Sequence, residues 1–108
     1  MISIDEFKRL ELLIGEVRDA APIPGSDRLL RLTVDVGTGM RTLVAGLGAS
    51  YAPDALVGLQ VVVVSNLEPA RIRGVESQGM LLGVGCSDTR EIGLLTVNRP
   101  VVNGSRVM

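Results

Sequence analysis

The segment Leu29–Val36 alternates strictly, with Leu30, Leu32, Val34 and Val36 on one side and Arg31, Thr33 and Asp35 on the other. A period of two puts every second side chain on the same face of a pleated strand, so this stretch predicts a half-buried β-strand. Gly37-Thr38-Gly39 follows, with residues that tolerate positive φ, and Arg41–Ala45 reads as the returning antiparallel strand of a hairpin. A sheet that buries one face needs a second layer or closure on itself.

The rest of the chain fits that class. Gln60–Ser65 is apolar on both faces and is expected to be a central strand, and Met80–Val84 resumes the sheet after the loop Asn66–Gln78, which holds Pro69 and Gly74. Arg90–Val97 and Val101–Val107 are two further short strand candidates, separated by Asn98, Pro100 and Asn103-Gly104. Ser3-Ile4-Asp5-Glu6 has the spacing of a capping box, predicting a short helix through Leu10 whose Ile4, Phe7 and Leu10 share one face. Pro53 to Leu56 reads as one helical turn with Pro near its first position, closed by Gly58. Five or more short strands with Gly-rich turns and little helix indicate a small barrel or sandwich.

Composition narrows the choice. At 108 residues there is room for one domain, residues 1–108, and the 46% hydrophobic fraction suffices for a core without disulfides or metal. With no Trp, one Tyr and one Phe, that core is aliphatic, which suits closely packed short strands. Cys86 is the single cysteine and there is no His, so disulfide frameworks and Cys/His zinc sites are excluded and a reducing cytoplasm is the expected location. The longest apolar run, Val61–Val64, has the length of a strand and is far too short for a membrane span.

The same composition argues against catalysis, because the commonest general base and metal ligand is missing. Asp19, Asp27 and Asp35 are carboxylates in reach of an acidic site, but Asp27 sits in the turn Gly25-Ser26-Asp27 and Asp35 on the polar face of the alternating strand. Cys86 ends an apolar stretch and reads as a small strand-end residue rather than a nucleophile. Gly83-Val84-Gly85 and the Gly46 and Gly48 pair open no long helix after a strand, so they read as bends or packing points and not as phosphate loops. No enzyme is expected, and no cofactor.

The net charge of −1 is not that of an ordinary nucleic-acid binder, so the placement of the basic residues matters more than their sum. Ten of the eleven are Arg, the type that grips phosphates bidentately and stacks on bases. Residues 1–19 hold Lys8, Arg9 and Arg18 against five carboxylates, whereas residues 28–41 hold Arg28, Arg31 and Arg41 against Asp35 only. The stretch Asn66 to Met80 adds amide, guanidinium and hydroxyl groups, with a Met whose soft side chain can lie against a base.

This stretch, Asn66-Leu67-Glu68-Pro69-Ala70-Arg71-Ile72-Arg73-Gly74-Val75-Glu76-Ser77-Gln78-Gly79-Met80, resembles the signature loop of the tRNA-binding domain family, approximately NLxPxKLxGxxSxGM. Ile4-Asp5-Glu6-Phe7, Gly15-Glu16-Val17, Gly25-Ser26-Asp27-Arg28-Leu29-Leu30, Val44-Ala45-Gly46-Leu47 and Leu94-Leu95-Thr96-Val97 resemble the same family in the same order. The resemblance implies an all-β, five-stranded OB-fold barrel, here with a short N-terminal helix and a C-terminal strand extension, and in bacterial forms a homodimer. Members include the C-terminal domain of bacterial methionyl-tRNA synthetases and free-standing tRNA-binding proteins. By position, Asn66, Arg71, Ser77 and Met80 fall where the family has its RNA-contacting Asn, Lys, Ser and Met, and Arg28 on the basic residue after the Asp. Ala70 and Leu13 stand where many members carry basic residues.

The expected function is therefore non-catalytic binding of folded tRNA by a homodimer, through Arg28, Arg41, Asn66, Arg71, Arg73, Ser77, Gln78 and Met80. Two other readings stand beside it. One is a peptide-binding, secretion-associated chaperone, since such chaperones share the domain. The other is an accessory domain or partner of an aminoacyl-tRNA synthetase, against which the Met1 start and lack of a linker favour a free-standing chain. The amphipathic helix and the apolar C-terminal segment ending at Met108 motivate the dimer.

Overall fold

A computed structural model describes residues 1–85, 88 and 91–108. Cys86, expected at a strand end, and Arg90, expected to begin a strand, lie outside the described residues.

Helix α1 spans Ile4–Phe7 and begins with the expected capping box: the Glu6 N–H donates to Ser3 Oγ and the Ser3 N–H to Glu6 Oε1, each at 3.1 Å. It stops three residues earlier than expected, because the Arg9 and Leu10 N–H groups donate to Glu6 and Phe7, tightening the end into an i→i−3 turn. Phe7 alone of the three apolar residues packs on the barrel, while Ile4 and Leu10 are exposed.

Strand β1, Leu12–Pro22, is the longest element. It is followed by β2, Leu30–Asp35, β3, Met40–Ala45, the turn of helix α2, Pro53–Leu56, and β4, Gln60–Val64. Each falls within the expected segment except β3, which starts one residue earlier than expected, at Met40, and β1, which the sequence reading did not identify as a strand. The β2–β3 ladder pairs Leu30 with Ala45 through Asp35 with Met40. The segment expected to be a loop is partly a hairpin of β5, Ala70–Ile72, and β6, Val75–Ser77. After it the chain forms β7, Met80–Leu81, which pairs with β4, and then β8, Gly83–Gly85, which pairs with β9, Ile92–Leu94.

The main sheet runs β3-β2-β1-β4-β7 and curls strongly into the half-barrel of a five-stranded OB-like fold, with the β3 edge tied to the Ser77–Gln78 segment. β1 serves both halves: Leu12–Glu16 pair with β4 and Glu16–Pro22 with β2, with a bulge between Val17 and Asp19. Val17, Leu32, Val34, Leu43, Val61 and Val63 fill the barrel, while Leu12, Ile14, Val62 and Val64 form a second cluster on the outer side, covered by Phe7, Val97 and Val107. β4 is thus buried on both faces, which is why its sequence is a continuous run of valines.

The C-terminal segment is not a regular strand. It touches β1 through one bridge, Leu13 to Arg106, and through backbone bonds from Ile14 to Ser105, Gly104 to Ile14 and Val107 to Leu12. Side chains hold it as well. Gln60 Nε2 donates to Val101 O at 2.6 Å and to Asn103 Oδ1 at 2.8 Å, and Asn103 Nδ2 donates to Glu16 Oε1 at 3.1 Å. Gly37 and Gly104, at φ 89° and 90°, meet face to face: a Cβ on Gly37 would lie 2.5 Å from Asn103 O.

Asp35 ties this corner together. Its carboxylate accepts from the Gly37 N–H at 2.8 Å, from Arg18 Nη2 at 3.0 Å and from Asn103 Nδ2 at 3.4 Å. The Gly37 bond is the largest influence and, with Arg18 and Asn103, holds the carboxyl below its ordinary value of 3.8 against the opposing effect of burial. A lowered folded-state value stabilises the fold above the ordinary carboxylate range, and that contribution is lost as pH falls through the folded-state value. Asp35→Asn is therefore expected to melt below the parent at neutral pH, with the gap closing under acid conditions below about pH 4. Thermal melts across pH check this; a constant gap contradicts it.

Candidate nucleic-acid interface

Three neighbouring pieces present arginines to solvent. The first is the β1–β2 loop, closed by the Ile23 N–H donating to Leu29 O and by Ser26 Oγ accepting from the Arg28 and Leu29 N–H groups. Arg28 lies on it, exposed. The second is the outward face of β2, where alternation that buries Leu30 and Leu32 leaves Arg31 in solvent. The third is the β5–β6 hairpin. Its turn is Arg73-Gly74 at φ 53° and 81°, a pair of left-handed residues matching the twist of a two-residue hairpin. Arg71 pairs across the ladder with Glu76, so the two share the hairpin's outer face, while Ser77 turns inward.

These pieces enclose two shallow clefts. One, of about 420 Å³, is lined by Arg31, Thr42, Arg71, Gly74, Val75, Glu76 and Gln78. The other, of about 450 Å³, is lined by Pro22, Ile23, Pro24, Arg31, Arg73 and Val75. Arg31 belongs to both. The Arg73 guanidinium reaches over the β1–β2 loop, where a Cβ on Gly25 would stand 3.9 Å from its Nη1. Arg28, Arg31, Arg71 and Arg73 have no side-chain hydrogen bond or ion pair among the described residues, whose ion pairs are those of Arg18 with Asp35 and Glu16. Guanidinium groups free of ion pairs and held on strands and tight turns form a site for anions.

The remaining expected site residues are placed differently. Arg41 Nη1 donates to Ser65 O at 2.7 Å and Gln78 O at 3.2 Å, bridging the barrel's two edges. Gln78 Oε1 accepts from the Thr42 N–H at 3.0 Å, and the Gln78 N–H donates to Thr42 O at 2.8 Å. Ser77 Oγ accepts from the Val44 N–H at 3.0 Å and donates to Gly79 O at 3.2 Å. Asn66 Oδ1 accepts from the Glu11 N–H at 2.8 Å and its Nδ2 donates to Arg9 O at 2.7 Å, pinning the start of β1. Arg41, Ser77 and Gln78 thus tie β3 to the segment before β7, and Asn66 ties the end of β4 to the approach to β1. Met80 sits apart from the arginines, in an apolar cleft of about 350 Å³ with Val44, Leu47, Leu81, Ile92 and Leu94.

Because Ser77 is buried and its hydroxyl satisfies a backbone N–H, Ser77→Ala is expected to destabilise the fold by about 1–3 kcal/mol, the cost of a stranded buried donor. A urea titration measures it. An unchanged midpoint contradicts the structural role.

Arg31, which the two clefts share, was not among the expected site residues. Its signal was present as the single charge of like sign on the solvent face of the alternating strand. Among the described residues no group of three His, Cys, Asp or Glu side chains is placed to hold a metal ion. Asp27 lies in the β1–β2 turn and Asp35 on β2, as expected, and the Arg18 and Asn103 bonds to Asp35 are additions that the sequence did not suggest. Gly48 is a packing point, since a Cβ there would stand 3.0 Å from the carbonyl oxygens of Asp27 and Arg28. No helix among the described residues is long and apolar enough to cross a membrane.

A family model described as "Putative tRNA binding domain" matches residues 12–106. The chain is 46% identical over 106 residues to a methionine-tRNA ligase of Thermotoga maritima, a match covering 98% of this chain and 16% of that protein. It thus spans about a sixth of the length of that curated relative. Among solved structures, a MetRS related protein from Pyrococcus horikoshii superposes with a TM-score of 0.93 at 35% identity, covering 100% of this chain and 98% of that one. The chaperone CsaA from Bacillus anthracis superposes with a TM-score of 0.89 at 33% identity, covering 100% and 99%.

Proposed function

Since the chain belongs to the tRNA-binding domain family, we propose that it binds folded tRNA without catalysing a reaction, through the face made by Arg28, Arg31, Arg71 and Arg73. The observation that carries this reading is the shared position of Arg31 between two clefts, with Arg71 in one and Arg73 in the other. A guanidinium shared by two clefts suits a single RNA strand laid across both. In OB folds generally, the face of strands 2 and 3 and the loops after strands 1 and 4 take oligonucleotides, and the four arginines occupy these places here. A chain of net charge −1 then works by local charge, because none of these four groups is held in an ion pair among the described residues. Asn66, Ser77, Gln78 and Arg41 act by shaping the platform, with any RNA contact made by the hydrogen-bonding capacity they retain.

The protein acts as a homodimer in the cytoplasm, and doubling the arginine set offsets the missing basic residues at Ala70 and Leu13. Exposed Ile2, Ile4 and Leu10 near the N-terminus and Val102 and Met108 near the C-terminus supply apolar surface for self-association. The test is an electrophoretic mobility shift with labelled tRNA, run beside sedimentation of the free protein. A saturable shift and a species of twice 11.4 kDa are expected; no shift at low salt overturns the binding, and a monomer at micromolar concentration overturns the dimer.

A second reading, peptide binding by a chaperone, is favoured by the apolar cleft around Met80 and by the likeness to CsaA of Bacillus anthracis. Suppression of aggregation of an unfolded client, with no tRNA shift, would put it first. A partnership with an aminoacyl-tRNA synthetase is the third, supported by the likeness to the ligase of Thermotoga maritima.

A further inference from the structure

We propose that the cleft between Arg31 and the β5–β6 hairpin takes an unpaired guanine base, with the Glu76 carboxylate as its reader; this rests on the RNA-binding reading of the same face. Glu76 lies opposite Arg71 in the hairpin and lines the cleft with Arg31 and Gln78, yet it forms no ion pair or hydrogen bond among the described residues. A site for phosphate alone gains nothing from this group, since a free carboxylate between two guanidinium groups repels phosphate. What Glu76 adds is a pair of acceptor oxygens with no donor of its own.

Unpaired RNA bases are read on their Watson–Crick edges, and the edges differ in how they meet a carboxylate. Guanine presents two adjacent donors, N1–H and the N2 amino group, matching the two carboxylate oxygens. Cytosine, adenine and uracil each set one donor group beside an acceptor, which the second oxygen repels. The rest of the cleft fits the same base. Gln78 Oε1 is held by the Thr42 N–H at 3.0 Å, which fixes the amide and leaves its Nε2, without a partner among the described residues, as a donor for guanine O6. Arg31 and Arg71 supply planar groups that stack on a base or hold its phosphates. The volume of about 420 Å³ admits one nucleotide.

The test is fluorescence anisotropy with labelled oligouridylates of about twelve nucleotides, unmodified, with one central guanosine, or with inosine in its place. A well-made bidentate contact discriminates on the order of tenfold, so the guanosine strand is expected to bind about tenfold tighter than the uridylate. Inosine, lacking the N2 amino group, loses most of that gain. Glu76→Gln is expected to abolish the preference while leaving the uridylate bound as well as before or better. Equal binding of all three strands by the parent protein overturns the guanine inference, as does Glu76→Gln tightening every strand alike; both leave the RNA-binding face standing. Failure of all three strands and of tRNA to bind at low salt overturns both readings together.

Discussion

Replacing Arg31, Arg71 and Arg73 together by alanine is expected to weaken tRNA binding on the order of a hundredfold at about 0.1 M salt. Each phosphate neutralised releases roughly 0.7 to 0.9 of a condensed counterion, worth about five- to eightfold in affinity at that salt relative to 1 M. Three contacts on one subunit multiply to the stated loss, and the slope of log affinity against log salt falls by about 2 to 3 for each subunit engaged. The three side chains are exposed and bonded to nothing among the described residues, so the variant keeps the parent's melting temperature to within the small effect of surface substitutions. Anisotropy of labelled tRNA measures the loss. A variant that binds as tightly as the parent, with the same slope, removes this face from the account.

Leu43→Ala is expected to destabilise the fold by about 2–5 kcal/mol, the usual range for emptying a filled leucine site. Leu43 is fully buried in the barrel cluster, beneath the strap that carries Ser77 to Gly79, where a Cβ on Gly79 would stand 3.1 Å from its Cδ2. Leu43 pairs with Leu32 across the β2–β3 ladder and shares its cluster with Val34, Val61 and Val63, a close-packed setting that relaxes poorly into a cavity. At about 4–8 °C per kcal/mol for a domain of this size, the melting temperature falls by about 8 °C or more. Circular dichroism on heating gives the number. A fall of a degree or two would mean that the strap is not seated on the barrel as described.

The hairpin of β2 and β3, the valine-rich β4, the turn of α2 and the capping box are legible in the sequence because each is a local pattern. Strand β1 is not, although it organises the barrel. Its bulge between Val17 and Asp19 breaks the period of two, and Glu16, Arg18 and Asp19 interrupt its apolar residues. The β5–β6 hairpin is hidden for another reason: Arg73 takes the left-handed position where Asn or Gly usually announces such a turn. The C-terminal segment is held by Gln60 and Asn103 side chains rather than by a ladder, so its apolar residues suggested a strand that the structure reduces to one bridge.

The candidate site divides along the same line. Arg28, Arg71 and Arg73 stand out in the sequence as charges in turns and loops, and they reach solvent in the structure. The duties of Asn66, Ser77 and Gln78 depend on partners 33 to 57 residues away, such as Val44 and Arg9, and no window along the chain reveals those pairings. Arg31 shows why charge counting falls short of charge placement: it is one arginine on an alternating strand until folding sets it between two clefts.

Titration of labelled tRNA with the parent protein at several salt concentrations asks whether a few well-placed arginines let an acidic chain bind tRNA. Saturable binding is expected, with a log-log slope against salt on the order of −2 to −4 for each subunit engaged. No saturable binding at low salt, or binding indifferent to salt, would contradict this expectation.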